Sequence, residues 1–269
     1  MVGKCRLCLE QRELQFSHLL PKALYRLVGR ASNPLHPDTV QVSLNDRRKS
    51  SEQARRHVLC SDCEQRLNRL GEKWILRHCY RGRGVFRLRT ELRKRTPLGP
   101  VSEIEAYSAS MEEVAILAYF SLSTVWRASL CDWPARGRTY HSIDLGPYQE
   151  QLRRYLLGES DVPSNIALIV TLSQMAIPVL AFNLPVSYRA DGCRCHGFHI
   201  PGMSFVIAIA KGMPGSWPDI CIFRNPLRPI IISTVSDEHT QEQILKLMGK
   251  TAPPWGRYPL VGGSERTNA

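Results

Sequence analysis

Two Cys-x-x-Cys pairs, Cys5/Cys8 and Cys60/Cys63, constrain the fold of this chain more than any other feature. Each two-residue gap forms a tight knuckle that aims both sulfurs at one point, and four thiolates so arranged satisfy a tetrahedral zinc ion. Free buried thiols that happen to pair are the bland alternative. A disulfide framework fits less well, because the chain has nine Cys, an odd number. Met1-Val2-Gly3-Lys4 runs straight into the first pair, so a folded rather than cleaved N-terminus is expected, in a reducing, cytoplasmic compartment.

The net charge of +12 is unevenly placed. From Arg47 to Arg95 there are sixteen Lys or Arg against five acidic residues, and the remaining chain is almost neutral. This positive field originates beside the second Cys pair, where it suits phosphates and their condensed counterions, and DNA or RNA is the expected partner. Arg47, Arg48, Lys49, Arg83, Arg87, Arg89, Arg93, Lys94 and Arg95 are the candidate nucleic-acid contacts; a solvated basic face without a partner is the alternative. The 43% hydrophobic content is ample for a core. The longest apolar run, 114–126, falls about five residues short of the roughly 18 of a bilayer span, so no membrane partner is expected.

The expected fold is α+β. Residues 1–96 form a zinc-bound treble-clef (ββα-metal) module with a basic extension: a knuckle, a short helix after Pro21, a strand over 40–44, a loop over 45–51, and a second knuckle capping one helix over 64–78. A short apolar alternation and a linker over 93–100 follow. Residues 97–248 form a larger α+β domain with an antiparallel or mixed sheet, and 249–269 a frayed tail. Its long helices are predicted at 111–130 and from Pro147 to Gly158, and a short one at 241–248. Strands are predicted at 166–172, 177–182, 204–209, 219–223 and 229–233. Composition alone marks this domain as a scaffold or regulator.

Ser17-His18-Leu19-Leu20-Pro21 lies between the knuckles. Phosphodiester hydrolysis needs a base to deprotonate water and a cation at the leaving oxygen. His18 is the candidate base. Glu64 and Asn68, four residues apart on a helix, are candidate oxygen ligands on one face. A histidine that packs structurally is the alternative. Cys193-x-Cys195-His196-Gly197-Phe198-His199 offers a second metal-ligand cluster or an ordinary loop.

Cys5-x-x-Cys8, Ser17-His18-x-x-Pro21, Asn45 and Cys60-x-x-Cys63-Glu64 together resemble the HNH endonuclease superfamily, most closely a group of uncharacterised bacterial HNH-like proteins. The resemblance implies that His18 is the general base, that Asn45 rather than Asn33 orients it, and that Ser17, Glu64 and Asn68 hold a catalytic Mg²⁺ or Mn²⁺ beside a structural zinc. Ser17 departs from the pattern, since relatives carry Asp, His or Glu there and a neutral hydroxyl is a poor ligand for a hard cation. The expected function is therefore a metal-dependent endonuclease. The rivals are a catalytically silent zinc module that binds nucleic acid and a protein-interaction module.

Overall fold

The computed structural model describes residues 1–32, 39–43, 46–50, 53–101, 104–135, 138–176, 178, 180–210, 212, 215 and 217–233. Strand β1 (Val2–Lys4) pairs antiparallel with β2 (Gln11–His18), and the turn between them carries Cys5 and Cys8. Leu9 closes that turn at φ 64°, its N–H donating to the Cys5 carbonyl at 3.0 Å. Helix α1 (Lys22–Ser32) starts directly after Pro21 and buries Leu24, Tyr25 and Val28.

A hairpin of β3 (Thr39–Ser43) and β4 (Asp46–Ser50) follows, so the predicted loop over 45–51 contains a strand. Asn45 lies outside the described residues. Strand β5 (Arg55–Cys60) then returns to complete a sheet of order β1-β2-β5, with a bulge opposite Gln15 and Phe16. The bulge frees the Val58 carbonyl to accept from Arg6 N–H at 2.9 Å, which ties the first knuckle to β5.

Helix α2 (Ser61–Leu67) begins at once after Cys60, placing Cys63 in its first turn. The single helix predicted over 64–78 is broken by a π turn, Asn68–Glu72, before α3 (Lys73–His78). The extra residue rotates the helix face. Leu70, expected on the apolar side, is exposed, whereas Gly71 and Glu72 are buried. A Cβ on Gly71 would lie 3.1 Å from the Phe120 backbone, so glycine lets the following long helix approach this closely. The predicted alternation after residue 84 includes a helix, α4 (Arg87–Leu92), that buries Leu88 and Leu92.

At Pro97 the chain enters a second sheet through β6 (Pro97–Val101) and β7 (Ile104–Ser108), where a linker was predicted. Helix α5 (Met111–Ser129) opens with a capping box in which Ser110 Oγ accepts from Glu113 N–H and the Glu113 carboxylate accepts from Ser110 N–H. A small hairpin, β8 (Trp133–Ala135) and β9 (Arg138–Tyr140), precedes α6 (Tyr148–Leu157), which ends at left-handed Gly158.

Four strands then run β10 (Ile166–Ser173), β11 (Asn183–Ala190), β12 (Cys193–Ile200) and β13 (Met203–Ile209); a short helix, α7 (Trp217–Ile220), leads to β14 (Pro229–Ser233). The strand predicted at 177–182 is displaced to 183–190. β11 is an edge strand with Val186 and Tyr188 exposed, so it lacks the apolar pattern that marks a buried strand. Residues 219–223 are α7 and a turn rather than a strand. The helix predicted at 241–248 and the tail over 249–269 lie outside the described residues.

The large sheet has the order β11-β12-β13-β10-β14-β7-β6 and is mixed, since only β10 and β14 run parallel. The fold is thus α+β. α5 is buried nearly all round, packed against the π turn on one side and the sheet on the other. One hydrophobic core runs from Cys5 through Leu67, Phe120 and Trp126 to Ile232, and a smaller one around Cys195, Trp217 and Cys221 covers the opposite sheet face.

The turn from β12 to β13 docks the sheet onto the first part of the chain. Pro201 carbonyl accepts from Tyr80 N–H at 3.0 Å, and Gly202 sits at φ 75° with the place of a Cβ only 2.8 Å from Phe86 and Tyr80. Gly202→Ala combines a left-handed backbone with overpacking, and a loss of about 2 kcal/mol or more is expected in denaturant unfolding. Burial also pushes the pKa of His196 and His199 down to about 4, so both are neutral when folded and protonate more readily when unfolded. Their contribution is full above the ordinary value of 6.5 and is lost as pH falls towards 4. Urea melts across that window are expected to show falling midpoints, with a shallower fall in His199→Gln.

Candidate metal centre and basic face

The four sulfurs of Cys5, Cys8, Cys60 and Cys63 lie within 4.8 Å of one another, with Cys8 Sγ 3.9 Å from Cys60 Sγ. A tetrahedral zinc with bonds of about 2.3 Å needs sulfurs about 3.8 Å apart, so the cluster could hold one. Three of the four are buried, and Cys60 N–H points at Cys5 Sγ at 3.4 Å, a donor that stabilises thiolate charge. A hydrogen bond from Cys63 draws the Cys5 thiol down to about 4, while that same bond, then burial and the charge on Cys5, drives Cys63 up. A dication would relieve that competition among crowded thiols. No other group of metal-ligating side chains of this kind occurs among the described residues. In particular, strand alternation in β12 turns Cys193 and Cys195 to the smaller core and His196 to the other face.

The proposed catalytic ligands are not gathered at a solvent-open point. Ser17 is 2% exposed and its hydroxyl donates to the Gln15 carbonyl at 3.4 Å. Beside it lies Glu64, whose Oε1 is buried without a hydrogen-bond partner and whose pKa is raised by burial, against the pull of Arg127. Asn68 opens the π turn and faces solvent. The helical face expected to carry Glu64 and Asn68 together therefore carries only the first. Glu72 comes inward instead, through the rotation of the π turn.

The cation at this place is Arg127 of α5. Its Nη2 donates to Glu72 Oε1 at 2.7 Å and its Nη1 to the His18 carbonyl at 3.0 Å. The pair is deeply buried, and removing one partner of such a pair costs about 3–5 kcal/mol. In the sequence Arg127 follows directly on the apolar run 114–126. Its role follows from the close approach at Gly71, which no local pattern announces.

His18 is half-buried, with Nε2 2.7 Å from Gln53 Oε1. Burial lowers its pKa, Gln53 opposes, and Lys22, Arg55 and Arg127 lower it further, so the imidazole is neutral at pH 7. In the β2–β5 register His18 stands opposite Arg55, and Phe16 opposite His57. Alternation puts Phe16 on the outward side with His18 while Ser17 turns inward. Phe16 is 46% exposed, stacks on His57 at 4.8 Å between centroids, and carries the Arg55 guanidinium 4.6 Å from its ring centre. This platform of Phe16, His18, Arg55 and His57 was missed at the level of composition. No alternation announces it, since Leu14 is buried and Phe16, two residues on, is exposed across the bulge.

Several predicted basic contacts are spent inside the fold. Arg89 is buried and donates to the carbonyls of Ser173, at 2.8 Å, and Met175, which corrects its assignment as a surface contact. Arg93 pairs with Glu105 at 3.1 Å, and Arg95 binds Glu113 through two bonds of 2.8 and 2.6 Å. Arg87 lies 3.9 Å from Glu91 on the surface, and Arg83 and Lys94 are exposed. Arg47, Arg48 and Lys49 fall on β4.

No family model, curated protein or solved structure matches the chain. Among the described residues, no helix is long and apolar enough to cross a membrane.

The cluster's fit to zinc has a direct test. Metal analysis of the purified chain is expected to give one zinc per chain, lost in Cys8→Ser. Chelation should cause a fall in melting temperature that re-addition of zinc reverses.

Proposed function

We propose that this chain is a zinc-held, HNH-like module that binds nucleic acid, DNA first, through the outward face of β2 and β5. The observation that carries the reading is the platform of Phe16, His18, Arg55 and His57. The half-exposed Phe16 ring, stacked on His57 and topped by Arg55, offers a base aromatic contact, and the guanidinium offers a phosphate its charge. The excess of basic residues between Arg47 and Arg95 supplies the long-range attraction. Support for a ββα-metal arrangement comes from the order of a knuckle, a β2–β5 pair and a helix opened by the second knuckle, together with the resemblance of the Cys and Ser-His-x-x-Pro motifs to HNH proteins.

A second reading, phosphodiester hydrolysis with His18 as general base, is favoured by one observation. The imidazole is kept neutral, and with Nε2 against Gln53 Oε1 its lone pair is on Nδ1. The burial of Ser17 and Glu64 around Arg127 weighs against a divalent cation there, and so against the metal-dependent form of that chemistry.

The test is binding of labelled single- and double-stranded oligonucleotides at several salt concentrations. Phe16→Ala is expected to weaken binding about 5- to 150-fold, the loss of one stacked base of about 1–3 kcal/mol. Arg55→Ala should weaken it and flatten the salt dependence. Binding unchanged in both variants would overturn the reading. Incubation with plasmid, alongside His18→Ala, separates the two readings: nicking lost in that variant assigns hydrolysis to His18, and binding without nicking leaves the module silent.

A further inference from the structure

Arg127 is less exposed than any other Arg, Lys, Asp or Glu among the described residues, at 1%. α5 delivers it beneath the end of β2, into a set of oxygens composed of the His18 carbonyl, the Glu72 carboxylate and, within reach of its charge, the Glu64 carboxylate. One backbone carbonyl and two carboxylates are the donor set that a hard divalent cation takes.

Two independent features show that the fold is arranged around the guanidinium. The π turn brings Glu72 inward, and Gly71 allows α5 to lie against that turn, with a Cβ there only 3.1 Å from the Phe120 backbone. The fork also fixes direction: Nη1 and Nη2 are used on His18 and Glu72, while Nε and Glu64 Oε1 remain buried without hydrogen-bond partners. A π insertion inside a helix is a frequent mark of functional sites.

We infer that Arg127 is the resident cation of this site: its guanidinium takes the place among the His18 carbonyl, Glu72 and Glu64 that a divalent ion would otherwise occupy. Arg127 is thus a positioning residue, holding the strand end that presents His18 by a bond to that residue's own carbonyl. The inference rests on the nucleic-acid reading only for what the face binds. The site itself needs no Mg²⁺ or Mn²⁺, and removing the guanidinium leaves two buried carboxylates that would accept one.

Zinc-loaded protein titrated with Mn²⁺, followed by electron paramagnetic resonance and by melting temperature, tests this without reference to nucleic acid. The wild type is expected to bind no Mn²⁺ at this site and to melt at the same temperature with or without it. Arg127→Ala is expected to melt on the order of 10 °C lower. Mn²⁺ should restore part of that loss and bind one ion per chain, and both effects should vanish in Arg127→Ala with Glu64→Gln and Glu72→Gln. Should Arg127→Ala fail to fold, Glu72→Gln in the wild-type background keeps the shape and removes the charge pair. Its melting temperature should fall, and an unchanged value would overturn the inference. Mn²⁺ binding by the wild type that Glu64→Gln abolishes would overturn it equally, as would a folded Arg127→Ala that gains no response to Mn²⁺. Loss of oligonucleotide binding in Phe16→Ala has no bearing on these outcomes, so the two proposals fail separately.

Discussion

A guanidinium withdrawn from water must be neutralised and hydrogen-bonded where it lies, and that demand at Arg127 organises the centre of this fold. Glu72 answers it from the π turn and the His18 carbonyl answers it from β2, so three elements distant in sequence converge on one planar fork. Because the fork is rigid, it sets angles as well as distances. Without it, α5 would still be apolar enough to bury, but nothing polar would fix its rotation against the knuckle-bearing part of the chain.

The four cysteines act on a different scale. With a metal bound they would lock the turn between β1 and β2 to the start of α2, while Arg127 ties the end of β2 and the π turn to α5. Arg66 adds a third tie, donating from α2 to the carbonyls of Leu156 and Leu157 at the end of α6. Ion pairs and carbonyl bonds of this sort engage part of the basic segment. Arg89, Arg93 and Arg95 each satisfy an internal acceptor, so the charge of a segment overstates the charge it offers a partner.

The cysteine cluster was legible in the sequence because metal ligation depends on spacing within a knuckle, which is local. α5 and α6 were legible for a similar reason: a long apolar run marks the first, and Pro147 and Gly158 bracket the second. The π turn was not, since Leu67, Leu70 and Trp74 keep a helical period through it and only packing against Phe120 selects the wider turn. The proposed ligand face of Glu64 and Asn68 failed with it. β12 was hidden by its residues, for Cys193 and His196 read as ligands or loop until the sheet around them makes both faces buried. Phe16 and Arg55 meet only through the β2–β5 register, and a bulge sets that register.

The hairpin of β3 and β4 hangs between two fixed posts, the His18–Pro21 corner with α1 on one side and β5 on the other. The hydrogen bonds from Cys60 N–H to Cys5 Sγ and from Arg6 N–H to the Val58 carbonyl close the chain around it. Lengthening a closed loop costs only about 0.6 kcal/mol per doubling. This excursion is therefore the part of the module where evolution can add or remove residues at little thermodynamic consequence, changing what reaches beyond the β2–β5 face while the clamp and the buried arginine stay as they are.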